Sequence, residues 1–330
     1  MSTLKISVVL PNFNGKDLLE SFLPYTFEAL RNSQVDFEFI LVDDASTDES
    51  VPWTKSSYPE IKIIQNSSNR GFSNSCNCGI EASQGDLVLL LNSDIRLSPD
   101  YFQNQLKYFD DEDTFGVMGK ILNSHNRELE IGAKIPRRSG IFLKSDIQYI
   151  PKTAESWAPT LFLSGANALI DRKKLIALGG LDEVFSPFYA EDLDLSVRAW
   201  RMGWKCYFEK ESVCYHLGSK TIKSNNPNPR IKATYFRNRM IFHAIHLEPN
   251  QLNSWKLQTL VLDVLPKLLL GKFWILTSYR EMIKLWPQIK KSRQQLSEIL
   301  QVQSNHPLTL EDVEQEILYM LPKSLELQSI

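Results

Sequence analysis

The chain has 330 residues, 43% of them hydrophobic and 23% charged, ordinary values for a globular protein with a large core in one domain or two. A formal charge of -2 leaves no basic excess to neutralise a phosphate backbone, which excludes general nucleic-acid binding. The four cysteines, Cys76, Cys78, Cys206 and Cys214, lack the paired spacing of a zinc site and are expected to be reduced, semi-buried thiols.

Met1-Ser2-Thr3-Leu4-Lys5 runs straight into an apolar strand from Ile6 to Leu10, with too few apolar residues before Pro11 for a signal peptide. A cytosolic location is therefore expected. Up to about residue 120, short apolar runs alternate with amphipathic stretches, the signature of βαβ units and a parallel sheet. Strands are predicted at Ile6 to Leu10, Phe37 to Val42, Ile61 to Ile64 and Leu87 to Leu91. Helices are predicted near Leu18 to Arg31, Phe72 to Ala82 and Pro99 to Phe109. Right-handed crossovers would bring the carboxyl ends of all four strands to one edge, where such sheets bind ligands.

Asn12, Asp43, the stretch 66–70 and Asn92-Ser93-Asp94 fall at that edge. Asp43 can accept a hydrogen bond from a nucleobase imide or a ribose hydroxyl, whereas Asp48 suits a helix start. Arg70, opening a helix after the third strand, can meet a base or a phosphate. Asp94 can hold a hard divalent cation that neutralises substrate phosphates, although Asn92 and Asp94 also suit a simple turn. No GxGxxG or GxxxxGK[ST] follows any strand, which disfavours dinucleotide and P-loop sites.

From Phe115 to about Pro159 the pattern weakens into short strands and turns and reads as a variable connection. Beyond it come the tight Ser164-Gly165-Ala166, a helix from Arg172, the turn Gly179-Gly180-Leu181-Asp182 and a helix from Glu191 to Met202. Glu191, Asp192 and Asp194 stand at the start of that helix, where acids complement the dipole. Three acids in four positions exceed what capping needs, and Asp192 can also serve as a general base toward an acceptor hydroxyl. His216 follows an apparent strand. From Lys220 to Arg239 six basic residues and no acid surround a Ser/Asn/Pro stretch, the composition of a mobile basic lid for a diphosphate.

Beyond Pro249 the chain reads as helical. Asp263, Pro266, Lys267 and Lys272 interrupt its most apolar stretch, so no membrane span is expected. Between Gln251 and Gln295 eight Lys or Arg face two acids, with Trp255, Phe273, Trp274 and Trp286 interleaved. Contact with an anionic membrane and packing on the rest of the chain or on a second copy both fit that composition.

Together these motifs resemble the family 2 glycosyltransferases of the GT-A fold, particularly their bacterial rhamnosyltransferase-like branch. The resemblance rests on 7–15, on Val42-Asp43-Asp44-Ala45-Ser46-Thr47-Asp48, and on Asn69-Arg70-Gly71-Phe72-Ser73 with Asn77 and Gly79. It continues through Leu91-Asn92-Ser93-Asp94, Ser164-Gly165-Ala166, 179–183, 189–195 with Arg198, and His216. It implies a mixed, mostly parallel sheet flanked by helices in a catalytic domain at 1–248, with a helical extension at 249–330.

The implied activity is inverting transfer of a sugar from a nucleotide-diphosphate donor to a saccharide or lipid-linked acceptor. Pro11, Asn12, Asn14, Asp43, Arg70 and Ser93 would bind the nucleotide sugar, and Asp94, Asn92 and His216 a Mg or Mn ion. Asp192 would be the base, with Glu191 positioning the acceptor or the base. Asn92 departs from the family's DxD pattern and removes a charge from the metal site, as is common in the rhamnosyltransferase-like branch. That departure keeps a noncatalytic sugar-nucleotide-binding subunit as the competing expectation.

Overall fold

A computed structural model describes residues 4–152, 155–217, 228–303 and 306–321. Strands β1 (Lys5–Asn12), β2 (Asp36–Asp43), β3 (Lys62–Gln65) and β4 (Leu87–Leu91) pair in parallel in the order β3-β2-β1-β4. Helices α1 (Lys16–Asn32), α2 (Ser50–Ser57) and α3 (Phe72–Ala82) connect them. The predicted strands and the helices at 18–31 and 72–82 are therefore present, and all four carboxyl ends share one edge.

Alternation along the buried strands places two cores on opposite faces of the sheet. Ile6, Val8, Leu10, Leu87, Leu89 and Leu91 face α1, while Val9, Val88 and Leu90 face α3 and the carboxyl-terminal helices. Burying each such side chain stabilises the fold by roughly 1.5–3 kcal/mol. Gly79 permits the close seating of α3, because a Cβ there would lie 2.3 Å from Val9 Cγ1.

The next stretch departs from expectation in two places. Residues 99–109 form turns and a short 3₁₀ segment (Leu106–Asp110) instead of a helix. Adjacent Tyr101 and Phe102 are both fully buried, Tyr101 Oη donates to Asn167 O at 2.8 Å, and Asp110 and Asp111 at the far end would oppose a helix dipole. The expected connection of short strands and turns also holds a ten-residue central strand. After β5 (Ile95–Leu97), β6 (Thr114–Asn123) lies between β11 (Asn167–Asp171) and β12 (Lys205–His216). Between them in sequence come β7 (Leu129–Ile131), the hairpin β8 (Ala133–Ser139) and β9 (Phe142–Tyr149), and β10 (Trp157–Pro159). Among the described residues the sheet runs β10-β12-β6-β11-β4-β1-β2-β3, with β5 on β12 and β7 on β6. β6 and β12 run in the direction of β1 to β4, and β11 runs against them.

Helices α4 (Arg172–Ala177) and α5 (Glu191–Arg201) precede β12. The remaining helices are α6 (Asn228–His246), α7 (Leu252–Gln258), a π-helical turn (Thr259–Val264), α8 (Leu265–Leu269), α9 (Trp274–Lys284), α10 (Trp286–Gln303) and α11 (Leu310–Met320). Ile241, Trp255, Ile275, Ile289 and Ile317 join the same core as Val9 and Val88, so the helical end packs on the sheet. Arg201 fastens it by donating to His246 O, Leu308 O and Glu248. No helix among the described residues is long and apolar enough to cross a membrane.

Candidate active site

A cleft of about 530 Å³ opens at the shared edge of the sheet. Pro11 and Asn12 end β1, Asp44 follows β2, and Asn92, Ser93 and Asp94 follow β4. The facing wall carries Gly165 before β11, Glu191 and Asp192 at the start of α5, His216 at the end of β12 and Arg230 on α6. Eight of the residues singled out from the sequence thus line one cleft: Pro11, Asn12, Asn92, Ser93, Asp94, Glu191, Asp192 and His216. Asn14, Asp43 and Arg70 do not line it.

Asp43 lies beneath the floor, 1% exposed, accepting from Asn12 Nδ2 at 3.0 Å and Ser46 N–H at 3.0 Å. It orients Asn12, whose Oδ1 is buried against Gly15 and has no hydrogen-bond partner within the protein. Asn14 is exposed and ties the β1 and β2 loops by accepting from Thr47 N–H and donating its own N–H to Ser46 Oγ. Asp44 lines the cleft and accepts from the N–H groups of Arg70 and Gly71 and from Asn66. The Arg70 side chain points to solvent, 3.8 Å from Glu183. Asp48 starts helices as expected, accepting from Ser50 N–H and from Lys16 N–H.

On the opposite flank His216 is clasped by two carboxylates. Its Nε2 lies 3.1 Å from Asp94 Oδ2 and its Nδ1 2.5 Å from Glu130 Oε2 on β7. Burial alone would lower the imidazole pKa, but the bonds to Asp94 and Glu130 outweigh it and push the value up to about 9. The same geometry suits a divalent cation. Glu130 on Nδ1 fixes the ring with Nε2 directed at the Asp94 oxygen, where a cation would take the place of the proton the two share. Among the described residues no cluster of three metal-binding side chains exists. Two protein ligands completed by substrate phosphates is the arrangement a magnesium-type site adopts.

The strained entry to α5 sets the third group. Tyr189 and Ala190 both have left-handed backbones, φ 76° and 73°, costing about 1–3 kcal/mol each. Asn238 of α6 offsets that cost by donating to Phe185 O, Phe188 O and Tyr189 O. Burial, with Asp192 beside it, raises the Glu191 pKa far above the usual carboxylate range, and Glu191 Oε2 has no protein partner. Burial also raises Asp192, against the opposing bond from Leu193 N–H at 2.8 Å and the attraction of Lys134. Asp194 is turned the other way. It binds Arg198 at 2.8 Å and His246 at 2.9 Å inside the protein, and Arg198 donates onward to Leu178 O and Gly180 O. The acid in excess of capping is thus structural.

The "Glycosyl transferase family 2" profile matches residues 7–179, just over half of the chain. The chain belongs to glycosyl transferase family 2. An uncharacterized glycosyltransferase of Bacillus subtilis is 22% identical over 64% of this chain and 64% of its own length. The undecaprenyl-phosphate 4-deoxy-4-formamido-L-arabinose transferase of Proteus mirabilis is 32% identical over 29% of this chain and 31% of its own. The chain thus spans between about a third and two thirds of the relatives it matches. Among solved structures, GalNAc-T7 with UDP, GalNAc and Mn²⁺ superposes with a TM-score of 0.59 at 16% identity, covering 76% of this chain and 49% of that one. The mannosyltransferase PcManGT from Pyrobaculum calidifontis, in complex with GDP-Man and Mn²⁺, gives 0.52 at 16% identity over 92% and 88%. The fold is therefore GT-A-like, with the mixed, mostly parallel sheet and helical end that the motifs imply.

Three residues of this glycosyltransferase's site are not singled out by its sequence: Asp44, Glu130 and Asn238. Asp44 is masked by Asp43 beside it, and only the strand's end decides which acid faces the cleft. Glu130 sits on a three-residue strand 86 positions from His216, and nothing local announces the pair. The expected basic lid is revised as well. Residues 228–246 are helical, with Arg237 buried against Ser186 O and Glu281, and only Arg230 of that group lines the cleft. Lys220 and Lys223 lie outside the described residues.

Proposed function

We propose that this family 2 glycosyltransferase transfers a sugar, with inversion, from a nucleotide-diphosphate donor to a hydroxyl of a saccharide or lipid-linked acceptor in surface polysaccharide or glycolipid assembly. The observation that carries the reading is that Asp192 and the Asp94–His216 pair line the same cleft. Pro11, Asn12 and Ser93 hold the nucleoside end, with Asp43 and Asn14 supporting from behind and Arg70 at the rim. Asp94 and His216, with Asn92 beside them, hold Mg or Mn, which when bound neutralises the diphosphate.

Asp192 takes the proton of the acceptor hydroxyl. The acceptor oxygen forms its bond to the anomeric carbon on the side opposite the diphosphate, and the bond from that carbon to the diphosphate oxygen breaks with its electron pair. Configuration at the carbon inverts. Glu191, protonated by its burial, donates a hydrogen bond that positions the acceptor. Gly165, against which Phe72 packs at 3.3 Å from a would-be Cβ, keeps the wall beside Asp192 thin enough for a sugar ring.

Support for a lipid-linked acceptor comes from the relatives' names, a dolichol-phosphate mannosyltransferase and an undecaprenyl-phosphate sugar transferase. Asn92 in place of an acid supports the rhamnosyltransferase-like branch. The reaction is assigned to the catalytic region at 1–248, working in the cytoplasm at the inner face of the membrane. Release of nucleoside diphosphate, assayed over a panel of nucleotide sugars with Mn²⁺, tests the function. Turnover of one donor is expected, and binding of a donor with no hydrolysis or transfer would make the protein a noncatalytic sugar-nucleotide binder.

A further inference from the structure

The stretch from Leu257 to Phe273 presents apolar side chains outward. Leu257 is 64% exposed, Leu262 57%, Leu269 88%, Leu270 69% and Phe273 67%. Only one of the four aromatic residues that suggested a lipid surface from the sequence belongs to this face, because Trp255 is buried and Trp274 and Trp286 are half-buried. The exposed leucines are carried by the end of α7, the π-helical turn and α8. Gly271, with φ +68° and open space around it, turns the chain so that Leu269, Leu270 and Phe273 stand at an exposed corner.

The charge around that corner has one sign. Lys256, Lys272, Arg280 and Lys284 are exposed. The two acids of this stretch are each held by a cation, Asp263 by Lys267 at 3.0 Å and Glu281 by Arg237 at 3.3 Å. An apolar corner flanked by cations fits a bilayer interface, where leucine and phenylalanine enter the acyl boundary and lysine and arginine meet lipid phosphates. A second copy fits poorly, since a two-fold contact would set the same positive surface against itself.

We infer that residues 257–284 dock this protein on an anionic phospholipid bilayer, with Leu269, Leu270 and Phe273 inserted. The placement bears on the cleft. Trp274 and Thr277 of α9 line a small cavity with Pro187 and Arg230, and those two also line the catalytic cleft. Docking therefore brings the Arg230 rim toward the lipid headgroups. Docking rests on this surface alone, while delivery of a lipid-borne acceptor to the cleft rests on the transfer proposed above.

Flotation of the full chain with phosphatidylcholine vesicles, with and without phosphatidylglycerol, tests the inference. Salt-sensitive flotation on the anionic vesicles alone is expected. Lys272→Glu with Arg280→Glu should weaken it about 30-fold or more. Leu270→Ser with Phe273→Ser should abolish it while circular dichroism and donor hydrolysis stay unchanged. Absent flotation of the wild type, or undiminished flotation of both variants, would overturn the inference. So would a dimer in sedimentation velocity that Phe273→Ser dissociates. Hydrolysis measured on the same samples separates the two claims: flotation without hydrolysis defeats the transfer and leaves docking standing, and hydrolysis without flotation does the reverse.

Discussion

Asp94 and His216, 122 residues apart in sequence, meet with Oδ2 3.1 Å from Nε2, and Glu130 closes the far side of the ring. The pair exists because β5, running back along β12, carries the chain after Asp94 beside His216, and β7 on β6 brings Glu130 to the same end. Glu130 then acts as a positioning residue. Glu130→Gln should weaken Mn²⁺ binding by about 10–100-fold, because the ring loses its orienting carboxylate. Calorimetric titration of Mn²⁺ in the presence of a nucleoside diphosphate reads this directly, and an unchanged affinity would remove Glu130 from the site.

Glu191 is held in the protein at a cost that varies with pH. Burial and the neighbouring Asp192 push its folded-state pKa up to about 8 from an ordinary 4.5. Below pH 4.5 both folded and unfolded chains carry the proton and the folded state's full stability is present. As pH rises the unfolded chain releases its proton first, so stability falls until the folded value is passed. Glu191→Gln, which cannot ionise, should match the wild type at low pH and exceed it by about 1–3 kcal/mol above pH 8. Urea denaturation at pH 5 and pH 9 checks the crossover, and parallel pH profiles would contradict it.

Asp194 separates structure from chemistry within one short motif. It is 1% exposed and shared by Arg198 and His246, and through Arg198 it fixes the carbonyls of Leu178 and Gly180. Asp194→Ala leaves a buried cation without its partner, a change that costs about 3–5 kcal/mol, a large part of a domain's stability. Thermal denaturation should show a large drop in Tm, whereas Asp192→Asn should shift Tm little. Equal melting of the two variants would contradict this division of roles.

What was legible in the sequence followed from local physics. β1 to β4 are apolar on both faces and punctuated by turn residues, so their edge and most of the ligand-facing residues could be read directly. β6 could not. Two glycines and Lys120 interrupt its apolar residues, and its place is fixed by β11 and β12, which follow much later in the chain; Gly116 is there because a Cβ would lie 2.6 Å from Leu169 O. Asp194 was legible as an acid at a helix start, but its partner His246 is 52 residues away. The basic stretch at 220–239 shows only its composition in the sequence, and helix α6 turns Arg237 from the cleft into the packing against Ser186.

Asp192 as the base is the assignment on which the proposed transfer rests. Donor binding and transfer should be measured on the same preparation of Asp192→Asn, by calorimetry and by release of nucleoside diphosphate. Donor affinity should stay within a few-fold of wild type while turnover falls by about 10²–10⁴-fold, the range that removal of a general base produces. Turnover retained near the wild-type rate would contradict the assignment.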